Sequence, residues 1–304
     1  MDYCLETISL CKKYGDFKAL DGLSIHIPRG AIYGLVGKNG AGKTTLIRLI
    51  TGIQKPTSGE YILYNVKNTD TAINKTRRRM GAVVETPAVY LDMTAEENLI
   101  MQYQILGMPN YDGITELLKL VNLADCGKKK AKDFSLGMRQ RLGLAVALCG
   151  SPDFLILDEP VNGLDPQGIV EIRELILKLN REYQITILIS SHILGELSKL
   201  ATHYGFVDGG RIVKEINAAE LEAHCSKCIH LSVTDTKALC RVLDDLSIEY
   251  SLTSDTEADI YGEIGITQLT LALAKENCEI QFLQKRDESL ENYYMNLIGG
   301  QTNA

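Results

Sequence analysis

Residues 37–45 read Gly37-Lys-Asn-Gly-Ala-Gly-Lys-Thr-Thr45, and no other stretch constrains the fold as tightly. The pattern G-x-x-x-x-G-K-[ST] has Gly37, Gly42, Lys43 and Thr44 in its defined places, with Asn39, Gly40 and Thr45 completing the loop. An apolar run at 31–36 (AIYGLV) precedes it and a helical pattern at 44–51 follows. A strand that turns through glycines into a helix N-terminus aims backbone N–H groups and a helix dipole at an anion. In that setting Lys43 reaches the β- and γ-phosphates of a nucleotide, and the Thr44 hydroxyl can ligate Mg²⁺. A glycine turn that binds nothing has no need of the Lys-Thr pair.

A second apolar run, 154–157 (FLIL), ends in Asp158 and Glu159. A carboxylate at the end of a buried strand can hold Mg²⁺, and the next one can orient or deprotonate an attacking water. Runs at 154–157 and 186–189 (TILI) suit strands covered on both faces, as in a parallel sheet flanked by helices. Helical patterns lie between them at 138–148 and 166–182, the latter opened by Asp165 as N-cap and Pro166 in the first turn. The expected class is α/β: a mixed-sheet core over residues 1–216, with a mainly helical subdomain at about 86–152. In that subdomain Thr94 and Glu97 read as a helix-opening capping box, with Glu96 and Glu97 as helix-start carboxylates. Residues 217–304 read as a small C-terminal α/β accessory domain, with strands near 229–234 and 280–283 and helices near 236–246 and 266–276.

Composition narrows the function. The chain has 304 residues, 45% apolar and 23% charged, with a net charge of −7. That balance suits a globular protein and argues against a nucleic-acid partner, which requires clustered Lys and Arg. No apolar run approaches the ~20 residues that span a bilayer, and the N-terminus lacks a signal-peptide layout. A cytoplasmic location is therefore expected, with any membrane role supplied by a partner. The eight cysteines are scattered and read as free, mostly buried thiols. His224, Cys225, Cys228 and His230 cluster, yet no second Cys pair is spaced to complete a structural zinc site. The basic triplets Arg77–Arg79 and Lys128–Lys130 read as solvated faces.

Further motifs, in order, resemble the ATP-binding-cassette family. Phe134-Ser-Leu-Gly-Met138 resembles the signature loop, Pro160-Val-Asn-Gly-Leu-Asp165 the dimer-contact loop, and Ile189-Ser-Ser-His192 the strand that ends in a switch histidine. Tyr14 sits before the first strand pair, where the family places a ring against adenine; a surface ring in a hairpin is the alternative. The resemblance covers about residues 3–215 and implies a head-to-tail homodimer holding two ATP molecules in its seam. In it Lys43, Thr44 and Thr45 of one copy grip ATP, while Ser135 and Gly137 of the other close over it. Glu159 and His192 act in hydrolysis, and Thr44, Asp158 and Glu85 face Mg²⁺. The same resemblance implies a separate integral-membrane permease and a place on the inner face of the membrane. The family also has non-transport members that act mechanically on nucleic acid or the ribosome. The coiled-coil insertion or the second cassette that marks them is absent from this sequence.

Two departures stand out. Leu136 and Met138 replace glycine and glutamine of the signature, and Glu85 stands where the family has a loop glutamine. Together with the run at 290–300, these variants are similar to the branch serving bacitracin export and lantibiotic immunity, which implies peptide-antibiotic or multidrug export and resistance.

Overall fold

The computed structural model describes residues 2–224, 227–261 and 264–287, together with Tyr293 and Leu297. The chain divides into two compact units, Met1–Ala218 and Ala219–Ala304, a boundary two residues beyond the sequence-based one.

The first unit opens with β1 (Tyr3–Tyr14), β2 (Phe17–Leu23), β3 (His26–Pro28), β4 (Ile32–Val36) and α1 (Lys43–Ile50). It continues with β5 (Ser58–Leu63), β6 (Val66–Lys67), α2 (Ile73–Arg77) and β7 (Met80–Val83). Between β7 and β8 (Phe154–Asp158) the chain is helical: α3 (Ala95–Leu106), α4 (Ile114–Leu120) and α5 (Leu136–Leu148). Then come α6 (Pro166–Tyr183), β9 (Thr186–Ser191), α7 (Leu194–Leu197), β10 (His203–Asp208) and β11 (Arg211–Asn217).

The sheet that carries the glycine loop has the order β11-β10-β4-β9-β8-β7. All its pairings are parallel except the β10–β11 hairpin. Every residue of β4, β8 and β9 is buried, which accounts for their unbroken apolar runs. A second, antiparallel sheet was not legible in the sequence: β1 pairs with β2, β3 and β5, and β5 pairs with β6. Helix α1 is walled in by both sheets, with Leu46, Ile47, Leu49 and Ile50 in one core with Leu5, Leu20, Tyr61, Phe154 and Ile156. Full burial of such side chains contributes roughly 2 kcal/mol each, so the helix behind the glycine loop is rigidly seated.

Of the Arg77–Arg79 triplet, expected as a solvated face, Arg78 and Arg79 are exposed and Arg77 is half-buried, and two of the three have specific partners. Arg79 donates to Asp153 and its guanidinium lies 3.7 Å from the Tyr64 ring centroid, while the Tyr64 hydroxyl also donates to Asp153. Arg77 donates to the Ile50 carbonyl at 3.3 Å, to Asn74 Oδ1 at 2.7 Å and to the Tyr61 hydroxyl. Arg79 thus ties the turn after β5 to the approach to β8, and Arg77 ties α2 to α1 and β5. Lys128, Lys129 and Lys130 are exposed.

The second unit comprises α8 (Ala218–His224, which starts at the boundary), β12 (Lys227–Val233), α9 (Thr236–Asp245), β13 (Glu249–Leu252), β14 (Glu257–Tyr261), α10 (Ile266–Lys275) and β15 (Ile280–Asp287). Its sheet is antiparallel throughout, in the order β13-β14-β12-β15. A βαββαβ chain with that strand order is the split βαβ, ferredoxin-like arrangement. Ile229, Leu231, Val233, Ala258 and Ile260 of the strands share a core with Leu239, Leu243, Leu269 and Leu273 of the helices. Those strand residues alternate along β12 and β14, as expected for a sheet with one helix-covered face. Of the His224, Cys225, Cys228 and His230 cluster, only the side chain of His230 falls among the described residues. His230 is buried, with Nδ1 2.6 Å from Asp259 Oδ1, and Cys225 lies outside the described residues. Among the described residues no group of three or more His, Cys, Asp or Glu side chains is placed to hold a metal.

Candidate nucleotide site

The glycine loop leaves β4 at Val36 and enters α1 through Gly42, whose φ of +111° a side-chain-bearing residue would strain to adopt. A Cβ on Gly42 would also stand 2.7 Å from the Ala19 carbonyl oxygen, so the close approach of β2 to the loop demands glycine. Lys43, only 6% exposed, points its ammonium back over the loop. Nζ donates to the Gly37 carbonyl at 2.6 Å and the Lys38 carbonyl at 3.3 Å, and lies 3.5 Å from Glu159 Oε1. A buried ammonium held by carbonyls and a single carboxylate is poised to receive a larger anion.

Two carboxylates at the end of β8 close the other side. Asp158 is 2% exposed; its Oδ2 accepts from the Thr44 hydroxyl at 2.8 Å, and its Oδ1 accepts from Ser190. Glu159 follows with φ +49°, a left-handed backbone secured by its N–H, which donates to the Ser190 carbonyl and hydroxyl oxygens at 3.1 Å each. Non-glycine residues held there cost on the order of 1 kcal/mol and concentrate at functional sites. Glu159 Oε2 accepts from His192 Nδ1 at 2.7 Å.

A hollow of about 290 Å³ runs over this arrangement, lined by Tyr14, Phe17, Ala19, Asn39, Gly40, Gly42, Lys43, Thr44, Thr45 and Glu159. Tyr14 does not precede the first strands; it ends β1 and pairs across the hairpin with Phe17. Its hydroxyl donates to Gln54, and the Lys12 ammonium lies 5.2 Å from its ring centroid. Phe17, 63% exposed, was missed by sequence reasoning. Only the hairpin pairing, which a bulged strand hides, places it beside Tyr14. Glu85 does not join Thr44 and Asp158, because its carboxylate closes on Arg48 of α1. Ser135 and Gly137 do not line the hollow. Ser135 caps α5, its Oγ accepting from the Met138 N–H at 3.2 Å. A larger hollow, about 630 Å³, in the accessory unit is lined by Ile266, Thr270, Ala274, Cys278 and Leu283 among others. It offers Glu279 as its one charged lining residue and no set of groups for chemistry.

The chain fits a nucleoside triphosphate: a glycine cradle at a helix start, a buried ammonium, a hydroxyl–carboxylate pair for a cation, and a second carboxylate for water. Comparison with known proteins agrees. The family model described as ABC transporter matches residues 20–162, and one described as an AAA domain matches 127–198. The bacitracin transport ATP-binding protein BcrA of Bacillus licheniformis is 39% identical over 305 residues, covering 99% of both chains. The lantibiotic transport ATP-binding protein SrtF of Streptococcus pyogenes is 41% identical over 211 residues, 69% of this chain and 90% of its own. The ATP-binding cassette MJ0796, solved as a dimer in a post-hydrolysis state with ADP and Pi, superposes with a TM-score of 0.64 at 25% identity. That superposition covers 70% of this chain and 98% of the other. The chain belongs to the ATP-binding subunits of ABC transporters, a family of ATP-hydrolysing cassettes that dimerise and pair with membrane permeases.

Proposed function

We propose that this chain hydrolyses ATP to drive export of a peptide antibiotic of the bacitracin type through a separate permease on the inner face of the cell membrane. The observation that carries the enzymatic part is Glu159, held between Lys43 and His192 at the mouth of the glycine loop. Thr44 and Asp158 would hold Mg²⁺, which would supply charge neutralisation to the phosphates. Backbone N–H groups of residues 39–45 and the Lys43 ammonium bind the β- and γ-phosphates, releasing Glu159 from Lys43. Glu159 then orients a water and takes its proton as the water oxygen bonds the γ-phosphorus and the bond to the β–γ bridging oxygen breaks. His192, steadied through Nδ1 by Glu159, meets the charge that develops on the γ-phosphate oxygens. Tyr14 and Phe17 offer ring faces to the base.

Ser135 and Gly137 enter from a second copy. Within its own chain Gly137 has room for a side chain, since a Cβ there would meet only Leu164, at 3.8 Å. The glycine is thus explained by a ligand approaching α5 from outside. The helical segment exposes Tyr90, Leu91, Ile105, Leu106, Met108 and Tyr111, an apolar set suited to a permease. Among the described residues no helix is long and apolar enough to cross a membrane. The substrate reading leans on length: the similarity to the bacitracin protein runs through the accessory unit, whereas that to the lantibiotic protein spans 211 residues. Nucleic acid has no part in this reading, given the net charge of −7.

Purified Glu159→Gln should bind ATP and accumulate as a closed dimer while turnover falls about a thousandfold or more, the scale on which a lost catalytic group acts. Hydrolysis at the parental rate would remove Glu159 from its role. Co-expressed with its permease in a sensitive host, the parent chain should raise bacitracin tolerance and Glu159→Gln should not. Protection against a lantibiotic alone would move the substrate assignment.

A further inference from the structure

The substitution of glutamate for an amide at position 85 sets an electrostatic difficulty that the structure answers. A carboxylate beside a bound triphosphate repels it, and Glu85 is half exposed with φ +60°, a backbone that glutamate does not adopt unaided. Its carboxylate forms a salt bridge with the Arg48 guanidinium. Arg48 lies four residues after Thr44 on α1, so both side chains rise from one face of the helix that carries the phosphate loop. The helix itself is immobilised by the core on its other faces, since Leu46, Ile47, Leu49 and Ile50 are fully buried. Arg48 therefore projects from a rigid backbone, one turn behind Thr44, and its guanidinium takes hold of the Glu85 carboxylate from the loop after β7.

We propose that Arg48 is a positioning residue for Glu85: it cancels the charge introduced at this loop and holds the carboxylate against α1, away from the hollow that Lys43 and Thr44 line. The inference rests on the nucleotide reading of the site and adds a charge-balancing partner to it. Arg48 touches neither substrate nor reacting atoms. Its effect passes through Glu85, so the two positions must be non-additive.

The test is a double-mutant cycle read by binding. A fluorescent ATP analogue is titrated, with Mg²⁺ and with EDTA, into the full chain and into Arg48→Gln, Arg48→Lys, Glu85→Gln and the Arg48→Gln/Glu85→Gln double variant. Gln keeps most of the arginine stem that packs on α1, so folding is retained, and thermal melts verify it. Arg48→Gln should weaken binding roughly threefold to tenfold, the scale of one partly exposed charge. The loss should shrink as salt rises, because exposed charges are screened. Glu85→Gln should bind at least as tightly as the parent, the double variant should recover parental affinity, and Arg48→Lys should sit near the parent. An Arg48→Gln defect that persists undiminished in the Glu85→Gln background, or no defect at all, overturns the proposal. Failure of the parent chain itself to bind the analogue would instead overturn the nucleotide reading, and the two failures are thereby distinguished.

Discussion

At the scale of single residues, the site is made of charges whose neighbours are already chosen. Lys43 and Asp158 are buried with specific partners, and Glu159 is shared between a lysine and a histidine. Burial acts differently on groups outside the site. It pushes the Cys4 thiol up to about 11 and the Cys149 thiol to about 12, against an ordinary value of 9.0. A folded-state value above the unfolded one means the native chain keeps a proton that the unfolded chain has lost. Their stabilising contribution is whole below pH 9.0 and drains away as pH rises through about 11 to 12. Urea denaturation from pH 8 to 11 should therefore show stability falling by an amount on the order of a few kcal/mol. Replacing either cysteine with alanine should flatten that slope. In the native protein at pH 8, peptide mapping after alkylation should find Cys4 and Cys149 unlabelled and the partly exposed Cys11 labelled. Labelling of Cys4 as fast as Cys11 would contradict its burial.

At the scale of elements, local signals and tertiary contacts divide the work. The Thr94–Glu97 box is complete: Thr94 Oγ1 accepts from the Glu97 N–H at 3.2 Å, and Glu97 Oε2 accepts from the Thr94 N–H at 2.7 Å. Asp165 caps α6 in the same manner, accepting from the Gly168 N–H at 3.1 Å. Thr94→Ala should cost about 1 kcal/mol in urea unfolding, as caps generally do. Gly81→Ala should cost more, about 2–3 kcal/mol, because its Cβ would press to 2.2 Å from the Ala147 carbonyl and force α5 off β7. Since α5 carries Ser135, that variant tests whether signature-loop placement depends on this contact: a folded protein with parental stability would show the contact to be slack. The capped helices and the fully buried strands were legible in sequence because each is a local pattern. Strand β1 was not. Ser9 has φ +46°, and the pairing with β5 slips between Ile8 and Cys11, so a bulge breaks the alternation on which strand reading depends. The same break concealed the hairpin that sets Phe17 beside Tyr14.

At the scale of the whole molecule, every residue lining the nucleotide hollow belongs to the first unit. A chain ending at Ala218 should bind an ATP analogue with parental affinity, and the ferredoxin-like unit should be needed only for partner or transport functions. A folded fragment that has lost binding would show that the second unit contributes to the site. The phosphate loop could be read directly because its parts are contiguous: glycines, lysine and threonine act within one turn, so chemistry and sequence order coincide. The rest of the site is assembled across long separations. Thr44 reaches Asp158, His192 reaches Glu159, and Arg48 takes Glu85, each pair drawn from different strands or loops of the six-stranded sheet or the helix behind it. The partners of Arg77 and Arg79 were hidden for the same reason, the aromatic rings and carboxylate lying on other elements. Covalent order along the chain dictated the cradle and the class of ligand. Which carboxylate is neutralised, which arginine is spent on packing and which rings line the hollow depended on non-local strand pairing, since charge and stacking act through distance in space and not through position in the chain.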